Sequence, residues 1–231
     1  MSDDKGNIPE TPEGICVWVL ASGPHENLHT ALLWALRPDY VIAVDGGTAL
    51  AHELGLKLSL IVGDLDSSSP SLVEQYEAEG VEVRRYEHDT KWETDTELAV
   101  LAALDLHPAT IFLLGAIGGR LDHALANIFL LTHPRLASLD LRILDGPHEV
   151  FLAKPGRWNR IRGNQGDTVT LLPVDGDAKG VRTIGLHWAL QGETLPRGHG
   201  RGVSNLVDTQ GAQVRLDEGQ LLVIVVHSAG T

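Results

Sequence analysis

Between residues 15 and 145 the chain repeats one pattern: a short run rich in Val, Ile and Leu, followed by a segment whose apolar residues recur every three or four positions. Runs that are apolar throughout, rather than at alternate positions, suit strands covered on both faces, and the intervening helices supply the crossovers that parallel strands require. The pattern predicts an α/β N-terminal domain with a mainly parallel sheet flanked by helices. Strands are expected at residues 15–21, 40–44, 58–62, 81–85, 110–114 and 141–144, and helices at 29–36, 49–54, 71–79, 94–104 and 122–131. After Gly146 short strand-like pieces, at 167–172, 213–216 and 221–226, are separated by Gly, Asp and Pro without a helical period. The expectation is a C-terminal all-β sandwich over 147–231, an α/β domain over 14–146, and a loosely ordered tail over the polar residues 1–13.

Charge and cysteine content narrow the partners. With 31 acidic residues against 18 Lys plus Arg, the formal net charge of -13 repels a nucleic-acid backbone, and no basic stripe offsets it. Acidic excess does not exclude a phosphorylated small molecule, because carboxylates can hold Mg2+, which then neutralises the phosphates. The single cysteine, Cys16, excludes an internal disulfide and any Cys-rich metal site. The longest late apolar run, residues 221–226, is far too short to cross a bilayer. A cytoplasmic protein with no membrane partner is expected.

In open parallel sheets ligands bind beyond the carboxyl ends of the strands, which is where the acids fall. Asp45, with Gly46 and Gly47, follows the second strand, and Gly63-Asp64-Leu65-Asp66-Ser67 follows the third. Each Asp taken singly also reads as a helix cap; together they point to a metal held by carboxylates. A third group, Lys91-Trp92-Glu93-Thr94-Asp95-Thr96-Glu97, opens a helix. Thr94 with Glu97 forms a capping box, which leaves Asp95 at the same sheet edge to join the metal site. The fourth group runs from Gly115 through Gly118, Gly119, Arg120, Asp122 and His123 to Asn127. Its glycines present backbone N–H groups to an anion and Arg120 adds a forked donor, although the spacing is neither Walker nor dinucleotide type. His123 alone reads as an ordinary helix histidine. No serine-hydrolase elbow and no HExxH zinc motif occurs, so phosphoryl transfer at a metal-carboxylate site is what remains.

Taken in order, Asp45-Gly-Gly, Gly63-Asp-Leu-Asp-Ser67, Thr94-Asp95, Gly115-x-x-Gly-Gly-Arg-x-Asp-His123 with Asn127, Gly185-Leu-His-Trp188 and Ser204-Asn205 resemble the thiamin pyrophosphokinase family over about residues 15 to 227. The resemblance implies transfer of pyrophosphate from ATP to the hydroxyl of thiamin, with Mg2+ or else Mn2+ as cofactor and AMP as second product. It also implies a homodimer with the thiamin pocket between subunits. By position, Asp64, Asp66 and Asp95 would bind the metal. Asp45, Gly46, Gly47, Ser67, Lys91, Thr94, Gly115, Gly118, Gly119 and Arg120 would serve ATP. Asp122, His123, Asn127, Trp188, Ser204 and Asn205 would serve thiamin, with Asp122 also counted among the catalytic acids. The chain departs from the family pattern at Trp92, where an Asp is usual, and at Leu206 and Ala189. Two alternatives stay open: a pyrophosphokinase for another hydroxylated heterocycle, such as a hydroxymethylpterin, and a noncatalytic nucleotide-binding module.

Overall fold

The computed structural model describes residues 14–24, 31–32, 35–87 and 92–228. The chain divides into two compact units, Glu13–Gly146 and Pro147–Thr231. The tail expected over 1–13 lies outside the described residues, as does most of the helix expected over 29–36.

The first unit carries strands β1 (Cys16–Leu20), β2 (Tyr40–Val44), β3 (Leu60–Gly63), β4 (Glu82–Arg85), β5 (Thr110–Leu114) and β6 (Asp140–Asp145). Helices α1 (Gly47–Glu53), α2 (Pro70–Ala78), α3 (Asp95–Ala103) and α4 (Leu121–Leu130) connect or follow them. The strands lie in the order β6-β5-β1-β2-β3-β4, with every pairing among them parallel. β1 and β5 are buried at every position, as their continuous apolar sequences require of strands covered on both faces. Their neighbours form a core in which Trp18, Leu20, Ile61, Phe112 and Leu114 pack with Leu50 and Ala51 of α1. The chain runs outward from β1 to β4 and then returns to β5 on the other side of β1, which makes the ends of β1 and β5 a topological switch point.

The mainly parallel sheet expected of the N-terminal domain describes these six strands, but it matches the sheet content of the protein only in part. Past Gly146 the pairing is antiparallel, so the protein's sheet content is mixed. This second unit contains β7 (His148–Ala153), β8 (Asn159–Arg160), β9 (Thr168–Pro173), β10 (Ala178–Ile184), β11 (Gln191–Leu195), β12 (Asn205–Leu206), β13 (Gln213–Arg215) and β14 (Leu221–Val226). One layer runs β12-β9-β14-β7 and the other β11-β10-β13-β8. Inward residues of both, such as Phe151, Leu171 and Val223 against Val181, Leu195 and Val214, form one apolar cluster, the sandwich arrangement. A buried polar contact crosses this unit: His227 Nδ1 lies 3.1 Å from Asp167 Oδ2, and its Nε2 lies 3.5 Å from Glu149 Oε2. The Asp167 carboxylate also accepts backbone N–H bonds from Asn164 at 2.8 Å and Ser228 at 2.7 Å.

Candidate active site

The site begins with a collision avoided. Asp45, directly after β2, adopts a left-handed backbone with φ 45°, and its buried carboxylate turns toward β3. The neighbouring position there is Gly63, with φ 146°; a Cβ would stand 1.8 Å from Asp45 Oδ1. Only glycine fits. The space left lets Asp45 Oδ1 accept the Leu65 N–H at 3.0 Å, which turns the residues after β3 back over the sheet edge. Asp66 N–H in turn donates to Asp64 Oδ1 at 3.2 Å.

Asp95 enters from the first turn of α3, where Thr94 is the N-cap and its Oγ1 accepts the Glu97 N–H at 3.1 Å. That capping bond fixes the start of the helix and with it the height of Asp95. Carboxylate oxygens of Asp45, Asp64 and Asp95 lie within 4.8 Å of one another. Three carboxylates so close repel one another unless a cation joins them, and their hard oxygen donors suit Mg2+ or Mn2+. The grouping brings together Asp64 and Asp95 of the expected ligand set with Asp45, while Asp66, exposed, lines the same cavity outside this three-carboxylate group.

These residues share a cavity of about 620 Å³ with the loop that follows β5. Gly115, Gly118 and Gly119 all have positive φ. Gly115 also accepts the Gly23 N–H at 2.8 Å, and a Cβ on Gly23 would meet the Gly115 carbonyl at 2.3 Å, so the ends of β1 and β5 are held in close approach. Asn127, buried in α4, donates its side-chain N–H to the Ala116 carbonyl at 2.8 Å. That bond holds the loop in place. Arg120 lines the cavity, with Nε 3.1 Å from Asp122 Oδ1 and Nη2 2.6 Å from Asp122 Oδ2. The Asp122 carboxyl is lowered to about 2, chiefly by its bond to Arg120, which outweighs desolvation and is assisted by the His123 N–H.

Among the expected site residues, Asp45, Asp64, Asp66, Ser67, Thr94, Asp95, Gly115, Gly118, Gly119, Arg120, His123 and Asn127 line this cavity. Asp122 does not. Neither do Gly46 and Gly47; a Cβ on Gly47 would lie 2.0 Å from the Leu20 carbonyl oxygen, so that glycine lets α1 begin against β1. Lys91 lies outside the described residues. Trp92, in place of the family's usual Asp, is fully exposed, and the lining resumes at Glu93. Sequence reasoning missed Ser22, Gly23 and Pro24, although their place after the first strand is the same strand-end signal that pointed to Asp45.

In the second unit Trp188 is largely exposed and meets His187 edge to face, with ring centroids 4.7 Å apart. Asn205 is buried and clasps the Trp188 backbone in both directions, accepting its N–H at 3.0 Å and donating to its carbonyl at 2.8 Å. Ser204, at φ 61°, donates its N–H to Thr170 Oγ1 at 3.2 Å. Asn205 thus orients the Trp188 turn.

Comparison with known proteins joins the two units. Residues 31–143 match the catalytic domain of thiamin pyrophosphokinase and residues 159–221 its vitamin B1 binding domain. The chain belongs to the thiamin pyrophosphokinase family. It is 28% identical over 181 residues to thiamine pyrophosphokinase 1 of Oryza sativa subsp. japonica, covering 74% of this chain and 67% of that relative. To the thiamine pyrophosphokinase of Bacillus subtilis it is 25% identical over 194 residues, 84% of this chain and 90% of that one. The crystal structure of a Bacillus subtilis thiamine pyrophosphokinase superposes with a TM-score of 0.82 at 24% identity, covering 93% of this chain and all of that one, which establishes the shared fold. Family membership places the carboxylate cavity in the half matched by the catalytic domain and the Trp188 turn in the half matched by the vitamin-binding domain.

Proposed function

We propose that this protein transfers the pyrophosphoryl group of ATP to the hydroxyl of thiamin, releasing AMP. The observation that carries the reading is the meeting, in one cavity, of the Asp45, Asp64 and Asp95 carboxylates with the glycine loop and Arg120. Those three carboxylates would hold Mg2+, which supplies charge neutralisation on the phosphates when bound. The 115–119 loop offers backbone N–H groups to phosphate oxygens, and Arg120 offers a fork matched to them. Asn127 keeps that loop in place through the Ala116 carbonyl. Rigid placement matters because phosphoryl transfer depends on alignment of attacking and leaving oxygens more than on covalent help from the protein.

For thiamin, a cationic thiazolium bearing a flat aminopyrimidine, the exposed indole of Trp188 offers an aromatic face and Asp122 a negative charge. A homodimer accompanies this reading. Leu121, Leu125 and Phe129 recur at four-residue intervals along α4 and are 72%, 44% and 56% exposed, an apolar stripe suited to burial against a second copy. No helix among the described residues is long and apolar enough to cross a membrane.

The test is AMP release from ATP and Mg2+ with and without thiamin, with thiamin diphosphate followed by chromatography. Equal, thiamin-dependent formation of both products is expected. AMP formation driven by a hydroxymethylpterin instead, or ATP binding without AMP, would overturn the assignment.

A further inference from the structure

Arg120 faces two claims at once. It lines the cavity that contains the carboxylate cluster and the glycine loop, yet its guanidinium fork is already closed on Asp122 through bonds of 3.1 and 2.6 Å. Asp122 itself stands in the first turn of α4 and outside the cavity lining. Both side chains are open to solvent, at 72% and 65% exposure. An ion pair so exposed contributes little, because water screens it and serves either partner almost as well. A polyphosphate presents more charge and more acceptor oxygens to the same planar fork. Competition for Arg120 therefore favours the ligand. Asp122 would keep one partner after release, the His123 N–H at 3.0 Å. It would also remain ionised at neutral pH, since an ordinary Asp titrates near 3.9.

We propose that Arg120 exchanges from Asp122 to the polyphosphate bound in the cavity, and that this exchange uncovers the Asp122 carboxylate as the acceptor for the cationic co-substrate. The two ligands are then coupled through one guanidinium, and each must strengthen the binding of the other by the same factor. The identities of the ligands rest on the thiamin pyrophosphokinase reading; the exchange itself requires only a polyphosphate.

Calorimetry on the full chain separates the two. In the first arm, Mg2+-tripolyphosphate is titrated into wild type and Asp122→Asn. Asparagine cannot hold the ionic fork, so Arg120 is free beforehand, and binding should tighten by about threefold or more. A purely structural pair predicts the opposite sign, with binding weakened by loss of order in the loop.

In the second arm, thiamin is titrated with and without the nonhydrolysable α,β-methylene-ATP. Wild type should bind thiamin about threefold or more tighter with the nucleotide. Arg120→Gln should bind thiamin more tightly than wild type in the nucleotide-free state, and the nucleotide should add nothing. Unchanged or weaker tripolyphosphate binding in Asp122→Asn would overturn the exchange, as would weaker nucleotide-free thiamin binding in Arg120→Gln. If thiamin binds in no state, the functional reading falls and the tripolyphosphate arm alone decides the exchange. Circular dichroism of both variants should match wild type, since neither side chain is buried.

Discussion

The most exacting test of the site is Gly63→Ala. A methyl there would stand 1.8 Å from Asp45 Oδ1 and 2.6 Å from its Cγ, on a backbone with φ 146° that L-residues rarely adopt. The backbone strain alone costs about 1 to 3 kcal/mol. Moving the Asp45 carboxylate aside breaks its 3.0 Å bond from Leu65 N–H, a charge-assisted bond worth about 1.5 to 3 kcal/mol. A total of about 2.5 to 6 kcal/mol lowers the melting temperature of the N-terminal unit by about 5 to 24 °C at roughly 2 to 4 °C per kcal/mol for a chain of this size. The carboxylate cluster loses one member in the same movement.

Wild type should be stabilised by Mn2+, by about 2.7 kcal/mol at a hundredfold excess over Kd, and Gly63→Ala should lose most of that gain. Melting followed by circular dichroism, with bound Mn2+ counted by electron paramagnetic resonance, measures both effects. Gly55→Ala is the control. It too has positive φ, at 62°, but a Cβ there would meet nothing within 4 Å, so it should cost about 1 to 2 kcal/mol and leave Mn2+ binding unchanged. Wild-type melting and Mn2+ affinity in Gly63→Ala would refute the packing of Asp45 against Gly63 and the metal site built on it.

Asp45→Asn should weaken Mn2+ binding more than Asp66→Asn does, because only Asp45 stands in the three-carboxylate group; equal effects in a Mn2+ titration would contradict that grouping. In the second unit, burial pushes the Asp167 carboxyl up, but the N–H bonds from Ser228 and Asn164 and the contact with His227 outweigh it and leave it lowered. A lowered carboxyl gives stability that is present above the unfolded value near 3.9 and is lost as pH falls through the folded value. Acid unfolding of wild type should therefore steepen below about pH 4, while Asp167→Asn, less stable at neutral pH, should show a flatter acid limb in a pH-jump denaturation series. On the proposed homodimer, wild type should sediment as two chains and Phe129→Glu, which places a charge in the exposed stripe of α4, as one; a single-chain wild type, or an unchanged two-chain mass in the variant, would overturn α4 as the seam.

The sequence by itself determined the alternation that makes residues 16–145 α/β, because strands covered on both faces must be apolar throughout. It also determined that acids gather at one sheet edge, since Asp45, Asp64 and Asp95 each follow a strand or open a helix at the same end. It carried the ordered motifs that mark the family. β10 was harder to read: its register shifts between Ala178 and Val181, and a bulge there breaks the two-residue alternation that identifies a half-buried strand.

Which carboxylates converge was a tertiary decision. Asp64 and Asp66 are equivalent in sequence, two acids in one loop, but with the Leu65 N–H bonded to Asp45 it is Asp64 that joins the three-carboxylate group, while the exposed Asp66 stays at the cavity wall outside it. Asp45 can take part only because β2 and β3 are neighbours and Gly63 has no side chain. Asn127 and Asn205 likewise carry no sequence mark that separates binding a ligand from holding a backbone. Asn127 donates to Ala116 and Asn205 clasps Trp188, because a buried polar group must find a partner, and only the folded chain determines which partner lies within reach.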